Sequence, residues 1–137
     1  QAHRPRLFLE IHPTEIKEVL SGVREAYKDH EIICIFQPHR ISRLRDLKKE
    51  FSSSFKKADS VILCPVYAAG EKIKLGFSYN LFAKEIIKNS KVNLFLVEDQ
   101  YQIAKLIKSN VYGKKIVIGM GAGTISSWIK EMPELLK

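Results

Sequence analysis

The stretch Glu31-Ile32-Ile33-Cys34-Ile35-Phe36-Gln37-Pro38-His39-Arg40 decides how the chain is read. Ile32 to Phe36 is a short run of β-branched and other apolar residues with no polar face. That pattern fits a strand buried on both sides, as in a parallel sheet. Pro38 ends it, because proline brings no N–H to a ladder. Outward from this run the same pattern recurs in Ser60 to Val66, Val92 to Val97 and Lys115 to Met120. Helical spacing fills the gaps. Pro13 to Tyr27 carries Ile16, Val19, Leu20 and Val23 on one face, with Pro13 and Glu15 suited to a first turn. Arg43 to Lys57 carries Leu44, Leu47, Phe51 and Phe55, and its Ser52-Ser53-Ser54 reads as no more than a small bias. Ser78 and Asp99 stand as N-caps. Ser78 precedes a helix to about Lys88 with Leu81, Phe82, Ile86 and Ile87 apolar; Asp99 precedes one to Ile107. A last helix starts at Thr124 and stops near Pro133.

Strand and helix alternate, which predicts an α/β fold. A Rossmann-like, mostly parallel sheet with helices on both faces and right-handed crossovers is expected. Leu7 to Ile11 is a candidate for one further strand. The length of 137 residues is one domain's worth. No apolar run spans a bilayer and the first residues lack the apolar core of a signal peptide, so a cytoplasmic protein without membrane partners is expected. Cys34 and Cys64 sit inside apolar runs and should be reduced and buried.

The formal charge is +8, from 23 Lys and Arg against 15 Asp and Glu. A basic nucleic-acid-binding α/β domain is therefore an alternative. Against it, the lysines are scattered, and Phe36, Phe51, Phe55, Phe82 and Phe95 fall at core spacings rather than along a basic stripe. A nucleotide-binding module standing alone is a third reading, disfavoured because no Gly-rich Lys-Ser or Lys-Thr loop is present.

Ligands of such sheets bind beyond the carboxyl ends of the strands. That selects Ile11 to Thr14, Gln37 to Arg40, Tyr67 to Glu71, and Gly119 to Thr124. Arg40 offers a fork for a carboxylate or phosphate, with His39 beside it and Arg43 and Arg45 following. Cations at a helix start oppose its dipole, so either an anion binds there or these are surface charges. His12 is either a ligand contact or a hydrogen-bonded turn residue. The string Gly119-Met120-Gly121-Ala122-Gly123 is either half a dinucleotide fingerprint or a tight strand-to-helix turn. The four histidines lack metal-ligand spacing with the cysteines, so no metal site is expected.

Taken in order, four stretches resemble the C-terminal domain of the Mur ligases. Within that family they resemble the branch that joins L-alanine to UDP-N-acetylmuramate. They are His12-Pro13-Thr14-Glu15-Ile16, Phe36-Gln37-Pro38-His39-Arg40 with Ser42-Arg43, Val66-Tyr67-Ala68-Ala69-Gly70-Glu71, and Gly121-Ala122-Gly123 with Ile125. Ala58-Asp59 also fits. Residues 1–10 depart from the family's acidic, Tyr- and His-containing start, and read as an atypical, vector-derived or divergent segment; residues 11–137 read as the amino-acid-presenting domain. The resemblance implies ATP-dependent amide-bond formation through an acyl phosphate, for peptidoglycan precursor synthesis, in a three-domain enzyme using ATP and Mg2+. It implies no catalytic residue in this domain alone. Substrate would meet Arg40, His39, His12 and Tyr67, and nucleotide or phosphate would meet Arg43 and Glu71. The fragment itself is expected to be an inactive monomer that binds no cofactor.

Overall fold

The computed structural model describes residues 11–66, 78–109, 113–121 and 125–137. In chain order these form α1 (Pro13–Ala26), β1 (Glu31–Gln37), α2 (Ile41–Asp46), α3 (Lys48–Ser52), β2 (Ser60–Leu63), α4 (Tyr79–Ser90), β3 (Asn93–Leu96), α5 (Gln100–Lys108), β4 (Lys115–Gly121) and α6 (Ile125–Leu135). The strands make one parallel sheet in the order β3-β2-β1-β4. Cys34 is level with Val61 on one side and Ile118 on the other.

Because successive side chains of a strand point to opposite faces, β1 feeds two cores. Ile32, Cys34 and Phe36 join Val61 and Leu63 beneath α1 to α4, against Ile16, Leu20, Leu44, Phe51, Phe82 and Ile86. Ile33 and Ile35 join Ile62 beneath α5 and α6, against Ile103, Ala104, Ile125 and Met132. Phe36 lies 5.2 Å from Phe55 and 5.7 Å from Phe51, ring centre to ring centre. Helices therefore cover both faces, and the α/β expectation holds. The candidate strand before α1 falls, except for Ile11, outside the described residues.

Several elements differ from the sequence reading. The expected helix from Arg43 to Lys57 is two short helices followed by turns. The break falls at Leu47, and the serines bear instead on where α3 ends, at Ser52. Ser52 and Ser53 hydroxyls donate to the Lys49 carbonyl, at 2.8 and 3.3 Å, and Ser54 donates to Phe51 at 2.7 Å. Side chains that bond nearby carbonyls compete with helix propagation. These serines are also more than a compositional bias: Ser90 on α4 donates to the Ser52 carbonyl at 2.6 Å, in a buried polar knot. Strand β2 stops at Leu63, just short of Pro65, which has no N–H to give. Helix α6 runs past Pro133 to Leu135, because Met132 packs in the second core and Leu135 packs against it. Val19, Leu81, Ile87 and Phe95 are exposed, contrary to the expected core faces.

At the amino ends of the strands, the Asp59 carboxylate accepts from the Ile32 N–H at 2.8 Å and from Arg24 at 2.7 Å. Arg24 also donates to the His30 carbonyl at 2.8 Å. This clamp joins α1, β1 and the lead into β2 at the end of the sheet opposite the ligand edge.

Both cysteines are free and fully buried. Burial pushes each thiol from 9.0 up to about 12. The native state then holds protons that the unfolded state releases, so stability falls as pH rises from about 9 towards 12. Thiol labelling of the native chain should be slow at neutral pH and fast in denaturant. Rapid labelling of both without denaturant would overturn the interior placement of these strands.

Candidate functional site

Each described strand connects onward, and the path reverses after β3 to bring β4 in beside β1 on the far side. In open parallel sheets a crevice opens at such a reversal, outside the carboxyl ends of the two strands that flank it. Here those strands are β1 and β4, and their ends are Gln37 and Gly121, level with one another. Gln37, which leads into Arg40, and Gly121 thus end their strands side by side.

Gln37 is almost wholly buried at the end of an apolar strand. Its side-chain N–H donates to the Pro65 carbonyl at 3.1 Å, and its side-chain oxygen accepts from the Ile125 N–H at 3.0 Å. One amide therefore joins the end of β1, the segment after β2 and the start of α6. Sequence reasoning used Gln37 only as part of a motif. The available signal was a lone amide closing an apolar run, which must find partners if it is buried.

Gly121 has φ 128°, and a Cβ there would stand 2.2 Å from the Gln37 carbonyl oxygen. Only glycine allows β4 to pass β1 this closely. The strand-to-helix-turn reading of the glycine string fits its described part; Ala122, Gly123 and Thr124 lie outside the described residues, and α6 is described from Ile125.

Pro38 is buried, His39 half-buried and Arg40 exposed. Arg40 precedes α2 with φ 70° and ψ 132°. For a residue with a side chain, such a sparsely populated backbone costs about 1–3 kcal/mol and persists only where the surroundings impose it. An open cleft of about 350 Å³ lies there, lined by Arg40, Ser42, Arg43, Asp46 and Leu47. Arg40 and Arg43 line it from one short segment, together with the acidic Asp46.

Arg43 and Arg45 are the third and fifth residues of the six-residue α2, so they follow the helix start as expected and also reach its last turn. A helix this short has no separate positive and negative end, so its dipole neither demands nor excludes an anion at these cations. The case for an anion rests on Arg40 and the crevice.

His12 is the N-cap of α1. Its Nδ1 accepts from the Thr14 N–H at 3.1 Å, and Glu15 accepts from the His12 N–H at 2.9 Å, a capping box. The hydrogen-bonded turn reading is what the structure shows. In this geometry the neutral ring carries its proton on Nε2, which alone is left for a ligand. Tyr67 and Glu71 lie outside the described residues. Among the described residues, no three His, Cys, Asp or Glu side chains gather as they would to hold a metal ion.

The profile of the domain described as "Mur ligase, glutamate ligase domain" matches residues 11–123. The chain belongs to the Mur ligase family. It carries that family's C-terminal domain, and the nucleic-acid alternative gains no support. A UDP-N-acetylmuramate–L-alanine ligase of Pelagibacter ubique is 76% identical over 125 residues, covering 91% of this chain and 27% of that protein. A ligase of the same name from Mesorhizobium japonicum is 39% identical, again over 91% and 27%. This Mur ligase chain thus spans about a quarter of the length of these relatives. Among solved structures, the UDP-N-acetylmuramate–alanine ligase of Thermotoga maritima superposes with a TM-score of 0.66 at 24% identity, over 90% of this chain and 24% of that one. A domain of a Haemophilus ducreyi Mur-type ligase superposes at 0.63 and 17%, over 92% and 85%. These likenesses bear out the Rossmann-like sheet. Phe36, Phe51, Phe55 and Phe82 are buried, so they present no ring for stacking on bases.

Proposed function

We propose that residues 11–137 are the amino-acid-presenting domain of an enzyme that joins L-alanine to UDP-N-acetylmuramate. The observation that carries this reading is Arg40, held in a strained backbone just beyond Gln37, the end of a strand that flanks the β1–β4 crevice. Its guanidinium can grip a carboxylate through two parallel hydrogen bonds. A carboxylate held there leaves the amine of the same amino acid pointing away, free to attack an activated acyl group. His39 and the Nε2 of His12 are assigned to the substrate side with Tyr67, and Arg43 with Glu71 to a phosphate or nucleotide.

ATP supplies the phosphoryl group that activates the muramate carboxylate, and Mg2+ balances its charge. The described residues do not gather a metal-ligand set, so we assign Mg2+ and the phosphoryl-transfer machinery to the rest of a longer chain. This domain's residues bind and orient; none of them is assigned a bond-making role. No helix among the described residues is long and apolar enough to cross a membrane, which is consistent with a cytoplasmic enzyme working on soluble substrates.

The test is a graft. Residues 11–137 replace the equivalent segment of the 76% identical relative, and the chimera is given UDP-N-acetylmuramate, L-alanine, ATP and Mg2+. Product and phosphate should form, while the 137-residue chain alone should release no phosphate above background. Release by the isolated chain, or a folded chimera without activity, would overturn the assignment.

A further inference from the structure

Strand β3 ends the sheet among the described residues. Asn93 N–H donates to the Asp59 carbonyl at 3.1 Å and Val97 N–H to the Leu63 carbonyl at 3.2 Å. In a parallel ladder alternate residues face the same neighbour, so the peptide groups of Leu94 and Leu96 face outward. Edge strands are commonly blunted by proline, a bulge or a charge within the strand. Asn93-Leu94-Phe95-Leu96 has no proline or charged residue. Phe95 is 41% and Leu96 47% exposed. Beside Phe95 a cavity of about 200 Å³ opens towards Ile33, Ile62, Leu106 and Ile107.

The charges bracket the strand with opposite signs: Lys91 before it, Glu98 and Asp99 after it, with Lys91 and Glu98 exposed. Aligned in parallel, two such strands would set like charges together. Aligned antiparallel, each lysine meets the other strand's acids.

We propose that β3 is the seam of a homodimer, paired antiparallel with β3 of a second copy about a two-fold axis through Phe95. The geometry is restrictive. An antiparallel edge-to-edge dimer has its axis perpendicular to the sheet, and residues directly opposite must point to the same face. The axis therefore passes through one residue and its own copy. Centring on Leu94 would set Lys91 opposite Val97. Centring on Phe95 brings Lys91, the left-handed cap just before the strand, to the end where Glu98 and Asp99 follow the other strand, and sets Leu94 opposite Leu96. Leu94 and Leu96 then exchange N–H···O bonds across the seam, on both sides of the axis. The two Phe95 side chains face each other at the closer, non-hydrogen-bonded position, where an aromatic pair can make contact. This replaces the expectation of a monomer.

The test is sedimentation equilibrium on the 137-residue chain and two charge variants. Lys91→Glu sets acids against acids at both ends of the seam. Glu98→Lys with Asp99→Ser sets lysine against lysine, and the serine keeps a cap for α5. Two-fold symmetry applies each change twice. Each variant alone should dimerise at least about tenfold more weakly. An equimolar mixture of the two should recover dimer, because both ends then carry opposite charges. Thermal melts of the separate variants report whether each is folded. A chain that stays monomeric near millimolar concentration would overturn the proposal. So would a dimer that neither variant weakens, or folded variants whose mixture recovers nothing.

Discussion

Arg40→Ala, made in the active chimera, should raise the L-alanine concentration needed for half-maximal rate by at least about tenfold. Losing a hydrogen bond to a charged group costs about 1.5–3 kcal/mol, and about 1.4 kcal/mol is already tenfold. Arg40→Lys keeps the charge but not the flat fork, and should fall between the two. The backbone adds a second readout. Arg40 stands at φ 70°, where glycine is at ease and arginine is not. Arg40→Gly should therefore bind alanine as poorly as Arg40→Ala while melting higher than it. The relief is about 1 kcal/mol once glycine's greater freedom in the unfolded chain is set against the strain. Steady-state kinetics with alanine varied, paired with melts of the same variants, would check both. An unchanged alanine dependence in Arg40→Ala would remove Arg40 from the substrate carboxylate and leave His39 or Tyr67 as candidates.

The second large effect is structural. Gly121→Ala should destabilise the chain by on the order of 3 kcal/mol, a loss of roughly 10 °C in melting temperature. The added Cβ meets a backbone oxygen of the neighbouring strand at 2.2 Å, and a backbone, unlike a long side chain, cannot swing aside. Gly119→Ala is the informative contrast. Its Cβ would meet side-chain atoms of Ile129 at 2.8 and 2.9 Å, and an isoleucine rotamer can shift. It should cost clearly less. Equal melting temperatures for the Gly121→Ala variant and the parent would show that β4 does not pass β1 as described.

The sheet was legible because its strands are nearly pure apolar runs, from Ile32 to Phe36 and from Val61 to Cys64, with proline or polar punctuation. The helix that broke in two was not. Leu44, Leu47, Phe51 and Phe55 keep helical spacing across the break at Leu47 and past the end of α3, where serine hydroxyls take nearby carbonyls, and periodicity registers neither. Phe95 has core spacing yet is exposed, because hydropathy does not distinguish an edge strand from a central one. At the site, Arg40 was legible from Pro38 and the strand end. The dipole decides nothing at Arg43, because α2 is six residues long and Arg43 belongs to both its first and its last turn. Gln37 was overlooked as a separate contributor because its importance lies in two partners distant in sequence.

That buried amide also bears on how the pocket can diversify. The ends of β1 and α6 and the segment after β2 share one side chain, so none can be lengthened or re-aimed without leaving a buried polar group unmatched. Variation that preserves the domain is then channelled into the side chains those segments display. A lineage exploring new amino acids would be expected to swap the chemistry presented at a fixed mouth rather than remodel the mouth itself.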